Sequence, residues 1–365
     1  MNIQTVGFVG LGLIGGSIAK AIKEFHPEVQ IMAYMRSTDT LIEAANEGTV
    51  DMACTAVDAQ FAACDCIFLC APVATNAAYL EKLKPFLKKE CILTDVGSTK
   101  TDIHEKVIAL ELEEHFIGGH PMAGSEKTGY ANAKRHLIEN AYYMITPSAK
   151  VSPKTVDDFV SFIASLKALP LVVDYRHHDF VTASVSHLPH LIAASLVNLV
   201  HDLDDREELM KRVAAGGFKD ITRIASSSPE MWEQICMTNS ENITQVLGRY
   251  IKELEIIKEN LEQKKPGVIY DFFEASREYR NSIPDSSAGP IKKMYAFYCD
   301  MVDEAGGIAT LATILATNGI SLKNIGIIHN REFEEAVLKV ELYDEASYQK
   351  AVSILRKYHY TIYER

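Results

Sequence analysis

The sequence predicts an α/β fold in three parts, and three observations support this prediction. Over residues 1–174, short and nearly continuous apolar runs alternate with helical patterns, which is typical of a parallel sheet with crossover helices. From residue 175 to residue 282 the strand pattern disappears, so an all-helical region is expected. Strand patterns return between residues 294 and 365 in the order β-α-β-β-α-β, which is the ferredoxin-like order.

The first predicted strand leads directly into a glycine-rich turn. The pattern Gly10-x-Gly12-x-x-Gly15 follows the strand, and an apolar helix pattern starts within it at Leu13 and Ile14. Gly10 allows a sharp turn, Gly12 lets the backbone approach a pyrophosphate, and Gly15 lets the helix pack closely on the strand. Free N–H groups and the dipole of the helix favour an anion at that end. This context predicts a Rossmann-type dinucleotide site, and the alternative is a glycine-rich turn that binds nothing.

The end of the second predicted strand bears on the choice of coenzyme. Residues 29–34 form this strand, and a helix is expected over residues 40–46. An NAD site usually has Asp or Glu about 20 residues past the glycine motif, bonded to the ribose hydroxyls. This chain has Met35 and Arg36 there. Arg36 suits a 2′-phosphate or stacks on adenine, so both NAD and NADP stay open.

Five further apolar runs each end in a turn, and helical patterns separate most of them. Ligands bind at the carboxyl ends of parallel strands. Pro72, Ser98 and His120 lie at such ends and are expected to face the cofactor crevice. The parallel sheet is expected to continue through all five runs. The expected strands are 65–72, 91–97, 116–121, 141–146 and 169–173, with helices at 74–87, 100–112 and 153–167.

The middle region is too apolar for an isolated helical bundle. We expect its early helices to pack on the sheet domain and on a second subunit, which makes a homodimer the expected assembly. Residues 280–290 are rich in polar, glycine and proline residues, which indicates a linker. The expected domains are therefore 1–174, 175–282 and 294–365, with 283–293 as linker. The expected helices cover 178–202, 205–215, 218–227, 229–238, 240–263 and 266–282.

The tail contains no nucleophile, metal set or cluster of bases, so a sensor is favoured over a second catalyst. Gly306 and Gly307 begin its first helix, and Asn318 lies where that helix is expected to end. The expected strands are 294–302, 320–329, 334–342 and 358–363, and the expected helices are 307–317 and 345–357.

Composition and charge argue against several classes of protein. The chain has 365 residues, of which 47% are hydrophobic, and its net charge of −12 disfavours binding to nucleic acid. No apolar run approaches the roughly 20 residues of a membrane span, and residues 1–12 lack a basic leader, so a cytoplasmic protein is expected. The seven cysteines include no CxxC pair and are interpreted as reduced thiols.

His120 is the leading candidate for acid–base chemistry. It follows two glycines at a predicted strand end, where a histidine can accept a proton near neutral pH. The alternative is a hydrogen-bonded turn histidine. Ser98 is placed to orient the His120 imidazole, to cap the following helix, or to do both.

The helical region offers further polar candidates. Ser186 and His190 are four residues apart and share a helix face, which suits a polar substrate, although a satisfied core histidine is the alternative. His187 and His190 have no third ligand and no HExxH motif nearby, so no metal site is expected. Arg223 lies among small and apolar residues, and either pairs with a nearby acid or binds a ligand carboxylate.

Five motifs occur in order along the chain: Gly10–Ser17, Asp95–Lys100, Gly119–Ser125, Ser186–His190 and Gly216–Ala225. Together they resemble the prephenate dehydrogenases of tyrosine biosynthesis. The tail from about residue 295 resembles an ACT regulatory domain, so the two resemblances cover nearly the whole chain.

The resemblance implies that prephenate and NAD are converted to 4-hydroxyphenylpyruvate, CO2 and NADH. It implies that His120 accepts the hydrogen bond of the C4 hydroxyl as hydride leaves that carbon, and that Ser98 orients His120. Arg223 is then expected to bind a substrate carboxylate. The residues expected to line the substrate pocket are Ser125, Ser186 and His190.

Two positions depart from the family pattern. The acid expected after the second strand is replaced at residues 35–36, and the ACT turn has Gly306 where the family commonly has proline. L-tyrosine, the end product of the pathway, is the expected effector. It is expected to bind at Gly306 and Gly307 or near Asn318 and Asn324, between two such domains.

Three other hypotheses compete with this one. A β-hydroxyacid dehydrogenase of similar build would carry a catalytic lysine in the first helix of the helical region, and residues 178–200 contain none. A non-catalytic NAD-binding sensor would tolerate the loss of His120. Arogenate in place of prephenate stays open.

Overall fold

The computed structural model describes residues 3–124, 127–283, 295–300, 306–328 and 337–364. The described residues belong to two compact units, one that ends at residue 283 and one that begins at residue 295. The first unit contains two sheets and the long helices, and the second unit has one sheet of its own.

The first sheet is parallel throughout, as the sequence predicts. Its strands and helices are β1 (Thr5–Val9), α1 (Leu13–Phe25), β2 (Gln30–Tyr34), α2 (Thr38–Asn46), β3 (Met52–Cys54), β4 (Cys66–Leu69), α3 (Val73–Leu83), β5 (Ile92–Asp95) and α4 (Thr101–Ala109). The strand order is β3-β2-β1-β4-β5, so the direction of winding reverses between β1 and β4. A crevice for a ligand opens at such a reversal.

The strands of this sheet are buried on both faces, which explains their continuous apolar runs. Phe8 and Phe68 belong to the core on one face, and their rings stack with centroids 5.2 Å apart. Ile67 and Leu69 belong to the core on the other face. Side chains alternate between the two faces along a strand, so every position of β4 needs an apolar residue.

The expectation of one parallel sheet is wrong beyond β5. The next strands are β6 (Ile117–Pro121), β7 (Tyr142–Pro147) and β8 (Leu169–Val172), with α5 (Pro153–Ser165) before β8. They form a separate sheet in which β6 and β7 are antiparallel and β7 and β8 are parallel. Short 3₁₀ turns, at 130–132 and 135–137, take the place of a crossover helix between β6 and β7, so the chain returns in the opposite direction.

The helical region begins with one continuous helix. The helix α6 (Tyr175–Thr182) passes through a π-helical turn at 183–187 into α7 (Leu188–Leu203). The following helices are α8 (Leu209–Val213), α9 (Gly216–Thr222), α10 (Pro229–Thr238), α11 (Ser240–Glu262) and α12 (Pro266–Ser282), with a 3₁₀ turn at Arg223–Ser226. Ala183 packs against Ile243 and Val246 of α11.

The span Tyr175–Leu203 is long and apolar enough to cross a membrane by length and composition alone. It is the one such helix in the described ranges. A buried helix of a soluble protein meets the same criterion. This helix carries the fully buried polar residues His178 and Asp179, which bond to other parts of the fold.

The second unit follows the order of elements that the sequence predicts. These are β9 (Tyr295–Asp300), α13 (Gly307–Thr317), β10 (Leu322–Ile328), β11 (Val337–Leu342), α14 (Glu345–Lys357) and β12 (Ile362–Glu364). The strands pair antiparallel in the order β10-β11-β9-β12. Phe297, Leu315, Val340 and Leu355 are fully buried in the core of this unit.

Candidate active site

The glycine turn after β1 has the geometry of a dinucleotide site. Gly10 has a φ of +98°, which favours glycine. A Cβ on Gly15 would lie 2.8 Å from the carbonyl oxygen of Gly10, whereas a Cβ on Gly12 would point into open space. No side chain caps α1, and its first turn contains no acidic residue. The free N–H groups at this end therefore suit a pyrophosphate.

The other predicted cofactor residues lie around this turn. Leu13 and Ile14 are the first, half-buried residues of α1, and Pro72 is exposed at the start of α3. Arg36 is exposed just after β2. The structure thus places these residues near the carboxyl ends of β1, β2 and β4, as the sequence predicts.

A buried ion pair holds β6 beside the end of β5. The side chains of Asp95 and Lys100 are in contact and at most 1% exposed, and the Lys100 ammonium also donates to the carbonyl of Gly119 at 2.8 Å. The Asp95 carboxylate accepts the Gly119 N–H at 3.2 Å. A Cβ on Gly119 would lie 2.7 Å from the Asp95 carbonyl oxygen, so only glycine fits. These contacts fix the backbone immediately before His120.

A chain of hydrogen bonds continues from His120 into the protein. Nδ1 of His120 lies 2.9 Å from Nε2 of His178, and Nδ1 of His178 lies 2.8 Å from Oδ1 of Asp179. The Asp179 carboxylate also accepts the backbone N–H groups of Lys100 and Thr101 at 2.8 Å each. Burial lowers the pKa of His120, and the charge of Lys100 lowers it further. The imidazole of His120 is therefore a neutral base, half-buried at the end of β6.

His190 forms a second polar cluster. Its Nδ1 donates to the carbonyl of Ser186 at 2.9 Å, and its ring stacks on Trp232 with centroids 3.8 Å apart. Burial lowers the pKa of His190, the Ser186 bond opposes this shift, and the charge of Arg223 adds to it. Arg223 follows α9 and begins the 3₁₀ turn at Arg223–Ser226. Ser186 and His190 share a helix face, and the predicted roles of Ser186, His190 and Arg223 in binding substrate stay predictions.

Three further residues named from the sequence are Ser98, Ser125 and His187. Ser98 is half-buried in the bend after β5, and within the described ranges no hydrogen bond joins it to His120, whose Nδ1 bonds to His178 instead. Its predicted role as the residue that orients His120 stays a prediction. Ser125 lies outside the described residues. His187 is buried against Asn239 and Trp232, and no group of three or more His, Cys, Asp or Glu side chains that could hold a metal occurs among the described residues.

The sequence analysis missed three residues of this site, namely Lys100, His178 and Asp179. Their partners come from other segments of the chain, so no local pattern marks them. The adjacent His178 and Asp179 in α6 were the one available signal, since buried histidines often pair with carboxylates.

A parallel sheet with a glycine turn at its switch point places this chain in the class of Rossmann-type, dinucleotide-dependent enzymes. Comparison with protein families identifies the group within this class. Residues 18–171 match the family model "Prephenate dehydrogenase, nucleotide-binding domain", and residues 174–274 match "Prephenate dehydrogenase, dimerization domain".

Known relatives agree with the family models. The prephenate dehydrogenase of Bacillus subtilis (strain 168) is 36% identical over 352 residues, covering 95% of this chain and 94% of the relative. This chain belongs to the prephenate dehydrogenase family, and it is an NAD-dependent oxidoreductase.

Two solved structures are similar to this one. Prephenate dehydrogenase from A. aeolicus, in complex with hydroxyphenyl propionate and NAD+, has a TM-score of 0.73 and 29% identity and covers 78% of this chain and 99% of its own. Synechocystis arogenate dehydrogenase has a TM-score of 0.69 and 28% identity, covering 77% of this chain and 100% of its own.

Proposed function

We propose that this enzyme converts prephenate to 4-hydroxyphenylpyruvate and CO2 with NAD as coenzyme, as a step of L-tyrosine biosynthesis. The observation that carries the proposal is the placement of His120. The Asp95–Lys100 pair fixes its backbone at the end of β6, and a bond to His178 at 2.9 Å orients its ring. A neutral base held in this way suits abstraction of a hydroxyl proton.

The chain's own residues divide the work of the reaction. NAD, when bound, accepts the hydride that leaves C4 of the substrate. The turn that contains Gly10, Gly12 and Gly15 holds the pyrophosphate through free backbone N–H groups, with Leu13 and Ile14 beside it. His120 takes the proton of the C4 hydroxyl and returns it to the ring oxygen once CO2 has left. Ser98 and Pro72 border the reacting end of the coenzyme.

The substrate carboxylate binds to Arg223 in this proposal. Support comes from the charge of Arg223, which contributes to the lowered pKa of His190, four residues from Ser186 on the same helix. Arginine binds carboxylates in a bidentate manner and keeps its charge when desolvated. His190, Ser186 and Ser125 complete the substrate pocket.

Arogenate is the second candidate substrate, because a similar solved structure is an arogenate dehydrogenase. Steady-state assays with each substrate and each coenzyme test the proposal. We expect the highest kcat/KM for prephenate with NAD. A clear preference for arogenate would show that arogenate is the substrate, and no turnover of either compound would overturn the proposal.

A cytoplasmic homodimer is the proposed state of the protein. The helices of the middle region expose large apolar side chains, which suits a subunit interface better than water. The match to a family model described as a dimerization domain supports the same arrangement. Sedimentation should give twice the 40.5 kDa of one chain. The exposed apolar residues of α7 and α12 include Leu199, Leu203, Tyr270, Phe273 and Tyr279.

The second unit is proposed to be an ACT domain that binds L-tyrosine. Gly306 precedes α13 with a φ of +98°, and Gly307 is the first residue of that helix. Asn318 bonds to the Ile314 carbonyl at 2.8 Å, and Asn324 accepts the Ile325 N–H at 2.9 Å. Because both amides have partners, the glycine turn is the better candidate for the effector. The domains in this proposal are 1–174, 175–282 and 294–365, with 283–293 as the linker.

A further inference from the structure

We propose that Asp179, acting through His178, fixes the tautomer of His120 so that Nε2 of His120 presents a free electron pair to the substrate hydroxyl. The proposal rests on the proposed function, since it assigns the acid–base state of the same histidine. His178 and Asp179 are positioning residues, because each acts on the substrate only through His120.

The first step of the argument concerns Asp179. Its carboxylate accepts two backbone N–H groups, from Lys100 and Thr101, besides its bond to His178. Burial alone would raise the pKa of this carboxyl, but the bonds from His178 and Thr101 outweigh it and hold the pKa below its usual value. An ionised carboxylate can only accept. Nδ1 of His178 must therefore carry the proton in the 2.8 Å bond to Asp179.

The second step concerns the bond between the two imidazoles. Burial lowers the pKa of His178 in spite of the Asp179 bond, so His178 is neutral and carries one proton. Since that proton is on Nδ1, Nε2 of His178 is an acceptor. The 2.9 Å bond then requires His120 to donate from Nδ1. A neutral His120 has no second proton, so its Nε2 is free to act as a base.

This arrangement also stabilises the product of proton transfer. The hydroxyl O–H bond breaks, the proton moves to Nε2 of His120, and the C4–H electron pair leaves as hydride to the nicotinamide coenzyme. His120 is then an imidazolium whose Nδ1–H bond to His178 strengthens, because His178 is polarised by the Asp179 carboxylate. When the bond to the carboxylate breaks and CO2 leaves, the ring oxygen takes the proton back.

Two other titratable residues that act on His120 are Lys100 and His187. Lys100 is paired with Asp95, and the pair fixes the backbone next to His120 rather than supplying a proton. His187, in the π-helical turn, is neutral in the fold because burial lowers its pKa to about 4. Asp179 is therefore the anion to which His120 is linked by hydrogen bonds through His178.

Variants of His178 test the inference. In His178→Leu the His120 ring loses its acceptor, so we expect kcat to fall about 10²-fold with little change in KM. In His178→Gln the amide oxygen can still accept the Nδ1 proton of His120, so most of that loss should be recovered. Without the polarised partner the imidazolium is less stable, so the acidic limb of kcat/KM in His178→Gln should move to lower pH. The control is His177→Leu, an exposed neighbour on the same helix, which should match the unmodified enzyme.

A direct measurement separates this inference from the proposed function. ¹⁵N spectra of the histidine rings, with His120 assigned from a His120→Asn variant, should show a protonated Nδ1 and an unprotonated Nε2 at neutral pH. This readout needs no turnover and no folded His178 variant. A protonated Nε2, or full activity and an unshifted limb in His178→Leu, would overturn the inference while prephenate oxidation stands. If the enzyme does not oxidise prephenate, the proposed function fails. The measured tautomer of His120 then supports or overturns this inference by itself.

Discussion

The imidazole of His104 lies flat against the ring of Tyr175, with centroids 4.3 Å apart and planes 10° apart. Its Nε2 bonds to the Thr146 hydroxyl at 3.0 Å and its Nδ1 to the Ser148 hydroxyl at 3.3 Å. His104 is 1% exposed and joins α4, β7 and the first residue of α6. Burial lowers the pKa of His104 to about 3, and the charge of Lys100 contributes. The ring is thus neutral in the folded protein over the range in which a free histidine titrates.

The first prediction follows for stability at acid pH. Between about pH 6.5 and pH 3 the unfolded chain binds a proton at His104 that the folded protein does not bind. The contribution of His104 to the free energy of unfolding therefore falls as the pH falls. The slope from this residue reaches about 1.4 kcal/mol per pH unit. Urea unfolding between pH 4.5 and 7.5 should show a smaller slope in His104→Gln. The exposed His201→Gln is the control, and an unchanged slope in the first variant would contradict the prediction.

The second prediction concerns His120. Replacement by asparagine keeps a polar side chain but removes the base, so kcat should fall by about 10²–10⁴. Coenzyme affinity should be unchanged, because the glycine turn holds the dinucleotide elsewhere in the crevice. Steady-state kinetics and a fluorescence titration with NADH measure the two effects. Near-normal turnover would mean that His120 is a structural turn residue.

The third prediction concerns Arg223. In Arg223→Ala the substrate carboxylate loses its cation, so KM should rise far more than kcat falls, with a total loss of about 2–5 kcal/mol in kcat/KM. Arg223→Lys keeps the charge but not the bidentate geometry, so its KM should lie between the two. Circular dichroism serves as the check on folding. If a folded Arg223→Ala enzyme kept its KM, the residue would be structural.

Much of the fold follows from the period and placement of apolar residues. Strands such as Cys66–Leu69 are buried on both faces, so their continuous apolar runs predict a parallel sheet. The direction of β7 could not be predicted in this way, because the turns at 130–132 and 135–137 have no periodic signal. An apolar run is compatible with either direction of pairing. Only the connection decides, and short turns left β7 antiparallel to β6.

The site, like the fold, could be predicted only in part from the sequence. His120 was a candidate because the sequence placed it at a strand end, although its strand β6 lies in the second sheet and not in the parallel one. Its support could not be predicted, since His178 lies 58 residues further along the chain and the hydrogen bond between the two rings forms only in the folded protein. Lys100 was hidden as part of a turn that also contains Ser98. A charged residue is expected at the surface, and only the fold shows that Lys100 is fully buried against Asp95.

The fourth prediction concerns the coenzyme. Arg36 is exposed just past β2, where an acid would repel a 2′-phosphate. If this cation binds the adenosine end, NADP should be used detectably beside NAD, and Arg36→Asp should shift the ratio of kcat/KM values towards NAD. Assays with both coenzymes give that ratio. Absolute preference for NAD, unaffected by the substitution, would limit Arg36 to packing beside adenine.

The fifth prediction is feedback inhibition by L-tyrosine through the second unit. This unit has its own buried core and follows the chain's catalytic part through the predicted linker, so its removal should spare the active site. Inhibition requires that tyrosine bind the less active state better, and a coupling of 1–3 kcal/mol corresponds to roughly 5–150-fold changes in affinity.

The test of this prediction compares the full chain with a chain that ends at residue 293. Titration of tyrosine at several prephenate concentrations should inhibit the full chain strongly and the shortened chain weakly. Tyrosine resembles the product, so it can also compete at Arg223 and His190. Competition of that kind does not depend on the second unit, because its contacts lie in the first. Equal inhibition of both chains would therefore assign tyrosine to the active site and leave the tail a role in assembly.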